Sequence, residues 1–137
     1  MRRLAASLAV AALLATTSAS TGGADDAAIR QVIGDQITAF EKDDFAAAFD
    51  FASRAIRDMF GTPERFGRMV RQGYPMVHRP AELLFLETRP GARAMLQRVL
   101  VTDGAGRVHL LEYEMVEADG RYLINGVRIL RGADAGV

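Results

Sequence analysis

The chain has 137 residues, of which half are apolar, 25% charged and 7% aromatic. That is the composition of one globular domain, and it excludes a disordered, collagen-like or multi-span membrane protein. Basic and acidic residues number 17 each, so no overall charge points to nucleic acid or an anionic membrane. The chain has no cysteine, which excludes disulfides, thiolate-ligated zinc, iron–sulfur clusters, thiol catalysis and a lipidated cysteine anchor.

Residues 1–24 differ from the rest. Arg2 and Arg3 make a short basic start, Leu4 to Ala15 is apolar apart from Ser7, and Thr16 to Ala24 is small and polar. This order predicts a secretory signal peptide cut after Ala19, Ser20 or Ala24. The apolar run is shorter than the ~20 residues that span a bilayer, so the expected membrane contact is transient, during export. The adjacent arginines lack the rest of a twin-arginine motif, and the general secretory route fits better. Without Arg2 and Arg3, residues 25–137 carry 15 basic and 17 acidic side chains, a net charge of −2. The expected location is the periplasm or the exterior, and the expected domain spans 25–131. The small polar residues 132–137 read as a fraying tail.

Helical periodicity comes first. Asp25 or Asp26 reads as the cap of a helix over Ala27 to Lys42, with Ile29, Val32, Ile33, Ile37 and Phe40 on one stripe. Asp43 or Asp44 starts a second, Phe45 to about Ala52. Ser53 caps a short third, whose apolar side is Ile56, Met59 and Phe60 and whose stop is Gly61. Thr62-Pro63-Glu64 opens a fourth, which buries Phe66, Met69 and Val70 and ends at Gly73.

After Tyr74-Pro75 the period becomes two. Leu83–Thr88, Ala92–Thr102, Arg107–Glu117 and Arg121–Leu130 read as strands. The turns Pro90-Gly91, Asp103-Gly104-Ala105-Gly106 and Asp119-Gly120 are too tight for anything but antiparallel neighbours. The predicted class is α+β: N-terminal helices packed on a curved antiparallel sheet of about four strands. A concave sheet closed by a long helix leaves a cone-shaped cavity, where such a domain would hold a ligand.

These residues resemble a known family. Phe40-Glu41-Lys42-Asp43-Asp44-Phe45-Ala46-Ala47-Ala48-Phe49 with Phe51-Ala52-Ser53, Phe60-Gly61-Thr62-Pro63-Glu64-Arg65-Phe66, Val70-Arg71-Gln72-Gly73-Tyr74-Pro75 and Tyr122-Leu123-Ile124-Asn125-Gly126 resemble the exported bacterial domain of unknown function family 4864. The resemblance runs from about Ala27 to Arg131. Helices followed by a bent antiparallel sheet also resemble the nuclear transport factor 2-like superfamily. That likeness implies a cystatin-like cone and a homodimer through the sheet. It implies no activity, because the superfamily holds isomerases, dehydratases and hydrolases beside non-catalytic binding and assembly domains.

The side chains that could carry chemistry are few. Glu112 and Glu114 share one strand face and Tyr113 takes the other, so a base and an oxyanion donor do not face each other there; the carboxylates read as an outward, solvated pair. Asp43 and Asp44 read as helix caps. His78 and His109 stand without a carboxylate at a local spacing that would orient them, and no metal-ligand set is apparent. Arg65, Arg68 and Arg71 read as a solvated helix face. Gln97 shares an apolar strand face with Met95, Val99 and Val101, so it must bond either a ligand or backbone. Tyr113 has a large apolar body and one polar handle. Asn125-Gly126 marks a bulge.

Phosphate-binding glycine loops, G-K-[ST], G-x-S-x-G and basic patches interleaved with aromatics are all missing from the sequence, which leaves nucleic acid and nucleotides without a binding motif. No cofactor is called for. The expected role is a non-catalytic module that binds a small apolar or amphipathic molecule or assembles with a partner chain, with Tyr74, Gln97 and Tyr113 as the polar groups facing a cavity. The alternative is an isomerase or hydrolase that uses Tyr113 or His109.

Overall fold

A computed structural model of the chain describes residues 21–131. The leader reading of residues 1–20 and the tail 132–137 lie outside the described residues. Five helices precede four strands: α1 Thr21–Glu41, α2 Phe45–Asp50, α3 Arg54–Phe60, α4 Pro63–Gly73, α5 Pro75–His78, β1 Pro80–Pro90, β2 Met95–Asp103, β3 Val108–Ala118 and β4 Arg121–Leu130. The strands form one antiparallel sheet in the order β1-β2-β3-β4. The fold is α+β. Among the described residues no helix is long and apolar enough to cross a membrane.

The helix α1 places Ile29, Ile33, Ile37 and Phe40 in the core at 4% exposure or less. Each buried isoleucine contributes roughly 1.5–3 kcal/mol, so this stripe fastens the helix to the sheet. The helix begins at Thr21, which leaves Asp25 and Asp26 inside it rather than at its cap. Ala24, Ala27 and Ala28 favour helix and no proline stops it, so it runs on through Gly22 and Gly23 despite their low propensity.

Three caps follow the sequence closely. The Asp44 carboxylate accepts from the Ala47 amide, the Ser53 hydroxyl from Ile56 and the Thr62 hydroxyl from Arg65. Asp43 is not a cap. It takes a left-handed backbone, with φ at 55°, and its carboxylate reaches α5 and the residue after it. Between the fourth predicted helix and the first predicted strand, Pro75 at the first position of α5 starts one further turn of helix. Gly67 sits where α4 crosses α2: a β-carbon there would lie 2.7 Å from Cδ1 of Phe45, so only glycine permits this approach.

β1 starts at Pro80, three residues before the expected Leu83, since an edge strand tolerates a residue with no N–H. β2 starts at Met95 rather than Ala92, because Gly91 donates to the Ala94 carbonyl across a wider turn. Asp119 and Gly120 both have positive φ, 52° and 76°, the mark of a two-residue hairpin turn. The ladder between β3 and β4 shifts register opposite Asn125, at the expected bulge. Beside it Ala52 bridges Ile124, with Ser53 donating to the Ile124 carbonyl at 2.8 Å. This bridge ties the α2–α3 junction to the last strand.

Alternation along the sheet sets its two faces. Val99, Val101, Leu111, Tyr113 and Met115 face the helices and are buried. Glu112 lies on the opposite face, and it is not solvated as expected. Its side chain is 2% exposed and receives hydrogen bonds from Arg89 at 3.1 Å, Arg98 at 3.3 Å and Arg128. The register explains this: Arg98 and Arg128 stand directly opposite Glu112 on β2 and β4. Burial alone would raise the Glu112 pKa, but the three guanidinium hydrogen bonds outweigh it and lower the pKa.

Candidate functional site

A pocket of about 220 Å³ opens between the helices and the inner face of the sheet. Gln36 and Phe40 of α1 and Phe66 and Val70 of α4 line one side. Tyr113 of β3 with Ile124 and Val127 of β4 line the sheet side. Ile56, Met59 and Phe60 of α3, with Met69 of α4 and Tyr74, complete the wall.

The sequence builds this space from local geometry. The apolar side of α3 is Ile56, Met59 and Phe60, yet none of the helix's residues is buried and Met59 is 71% exposed. Those side chains border the pocket instead. Phe66 anchors the interior, with ring centroids of Phe49, Phe60 and Phe40 at 5.4, 5.8 and 5.9 Å. Tilted and edge-on rings at these distances favour a fixed wall.

The lining is chiefly hydrocarbon, with three polar side chains. The Tyr74 hydroxyl donates to the Val127 carbonyl at 2.9 Å, which fixes that ring against β4. Gln36 is 3% exposed; its Nε2 donates to the Ala48 carbonyl at 3.1 Å, and its oxygen takes no bond from another described residue. Tyr113 is 1% exposed, and its hydroxyl has no hydrogen bond with any described residue. Burial first, and the neighbouring Tyr74 second, raise the Tyr113 pKa above the ordinary 10.0, so the phenol stays neutral and keeps its proton to donate. A neutral phenol facing hydrocarbon is a hydrogen-bond donor suited to one acceptor oxygen in the pocket.

Gln97 sits elsewhere. It is fully buried between β1 and β2, outside the pocket lining. Its oxygen accepts from Thr88 at 2.6 Å, and its amide nitrogen faces the carbonyls of Leu86, Glu87 and Arg98 at 3.1, 3.3 and 2.8 Å. The side chain fills the irregularity between Phe85 and Thr88, where the ladder leaves carbonyls unpaired.

Both histidines have carboxylate partners, contrary to their reading as isolated groups. His109 Nε2 lies 2.9 Å from Asp103, which also takes the amides of Ala105 and Arg107. Above all the His109 contact, and then these amides, hold Asp103 at a pKa of about 2 against its partial burial. The β2–β3 hairpin makes this pair by putting both residues on one face across the turn. His78 Nε2 lies 2.7 Å from Asp43, and Arg79 joins that carboxylate at 3.0 Å. Neither pair belongs to the pocket lining. Among the described residues no three histidine, aspartate or glutamate side chains gather as a metal-ligand cluster.

A family model described as Domain of unknown function (DUF4864) matches residues 23–137, and the chain belongs to that family. No curated protein and no solved structure matches it.

Proposed function

We propose that this domain is an exported binding module that holds a small, mostly apolar molecule in the pocket and meets one oxygen of it with the Tyr113 hydroxyl. The carrying observation is a neutral, buried phenol among the lining of a hydrocarbon pocket. An apolar cavity of about 150 Å³ holds benzene, so this one suits roughly nine non-hydrogen atoms. The helix-then-meander order fits the nuclear transport factor 2-like layout, in which such a space is expected. The leader-like residues 1–24 support a periplasmic or secreted site of action.

Binding is favoured over acid–base catalysis by the chemistry of the lining. Its titratable groups are two phenols, and Tyr113 is held protonated. A base within reach of a bound substrate is the missing element, since each histidine is engaged with an aspartate outside the lining. Calorimetric titration with octanol tests the reading. Wild type binds, and Tyr113→Phe binds about fivefold more weakly for one lost hydrogen bond, with an unchanged melting temperature. Equal affinities, or no binding to wild type, overturn it.

A second reading concerns the outer sheet face. Leu84, Leu100, Leu110 and Leu130 form a row across all four strands, and Leu84 is 56% exposed. A second copy of the chain covering this row makes the homodimer that the superfamily likeness implies. Sedimentation at rising concentration checks it: a mass that stays at one chain rules the dimer out.

A further inference from the structure

We propose that the ligand of this pocket is a medium-chain amphiphile with an oxygen at its inner end and an anionic head that rests on Arg65 and Arg68. The inference depends on the pocket reading above and adds the chemistry at its rim. Met69 is the link. It lines the pocket, and it also lines a shallow groove on α4 together with Arg65, Arg68 and Gln72. Helical spacing places Arg65 four residues before Met69 and Gln72 three after it, so both lie against its flank.

The rim arginines differ from the others nearby. Arg71 stacks over the Phe45 ring at 4.5 Å, Arg79 bonds Asp43, and Arg54 lies 3.8 Å from Asp58. Arg65 and Arg68 are exposed, and neither guanidinium has an ion pair or hydrogen bond with another described residue. Glu64 stands one helical turn before Arg68, and the two line, with Asp43, Asp44 and Arg71, a separate depression on α4. The groove beside Met69 is lined by Arg65, Arg68 and Gln72, with no carboxylate in its lining. Inside, the Tyr113 hydroxyl offers a proton and the Gln36 oxygen a lone pair, which together suit a terminal hydroxyl. A hydrocarbon chain of roughly eight carbons fills a space of this size.

The test titrates ω-hydroxyoctanoate, octanoate and octanol into the full domain and into the double variant Arg65→Gln, Arg68→Gln at low salt. The expected result is a loss of about fivefold for ω-hydroxyoctanoate in the variant, the effect of an exposed ion pair at its upper range, and a similar loss for wild type in molar salt. Octanol binds both proteins alike, and octanoate binds wild type more weakly than ω-hydroxyoctanoate. If octanol binds and ω-hydroxyoctanoate is indifferent to the variant, the head assignment is wrong and the pocket reading stands. If all three ligands weaken together in the variant, the arginines act on the fold and the head assignment again fails. If octanoate matches ω-hydroxyoctanoate, the inner oxygen is wrong. If no ligand binds wild type, the pocket reading itself falls.

Discussion

Glu112→Ala is expected to lower the stability of the domain by about 3 kcal/mol, the low end for removing one partner of a buried ion pair. The low end applies because Arg89 and Arg128 are 49% and 66% exposed and can turn to water, whereas Arg98, at 18%, cannot do so as easily. For a domain of about 100 residues this shifts the melting temperature by at least ~12 °C. Glu112→Gln keeps the shape and loses the charge, so its loss is smaller. The pH dependence has a definite sign. The folded-state pKa of Glu112 lies below the unfolded value of 4.5, so the carboxylate's contribution is complete above that value and disappears as pH falls through the lower folded pKa. Urea unfolding of wild type and Glu112→Gln should therefore differ near neutrality and converge in acid. A Glu112→Ala protein within about 0.5 kcal/mol of wild type, the range of an ordinary surface change, would show that the three arginines carry no part of the fold.

Val127→Phe is expected to abolish most ligand binding and leave the fold intact. Val127 is half-buried on the sheet side of the pocket, opposite Tyr113 in the β3–β4 ladder. A phenyl ring there takes the place of about three ligand methylenes, each worth ~0.8 kcal/mol. The affinity for octanol should drop about fiftyfold, since every 1.4 kcal/mol is tenfold. The ring enters existing space, so the melting temperature should hold or rise. Undiminished octanol affinity in a folded Val127→Phe protein places the binding site elsewhere.

Much of the fold was legible because short-range signals decided it. Thr62-Pro63-Glu64, Ser53 and Asp119-Gly120 act within a few residues of themselves, and the structure uses each as its chemistry suggests. The stripe on α1 was equally plain, because a period of 3.6 admits one buried side. Glu112 was misread for a different reason. Alternation gives the face of a strand residue and says nothing about what crosses that face. The information was nonetheless present: counting back from the β2–β3 turn puts Arg98 opposite Glu112, and counting back from Asp119-Gly120 with one extra residue for the bulge at Asn125 puts Arg128 there. The first count pairs His109 with Val101 and so puts Asp103 on its diagonal, on the same face. No count pairs His78 with Asp43, because α5 and the α1–α2 turn meet only when the helices pack.

The site was legible in part and for a related reason. Tyr113 falls on the helix-facing side of β3 by alternation alone. The void it faces depends on how α1, α3 and α4 sit above it, which no local pattern encodes. Gln97 looked equally suited to a ligand on its apolar face. The irregularity in β1 decides its actual bonds, and that irregularity has no turn residue to announce it. The apolar side of α3 shows the converse: Ile56, Met59 and Phe60 have the spacing of a core stripe, but the void leaves them as pocket wall.

The most direct test of the pocket follows the methyl signals of labelled methionines while octanol is added. Met59 and Met69 line the pocket, and Met95, on β2, lies outside its lining. The account predicts saturable shifts at Met59 and Met69 with Met95 unmoved. Shifts of equal size at all three, or none at Met59 and Met69, would contradict it.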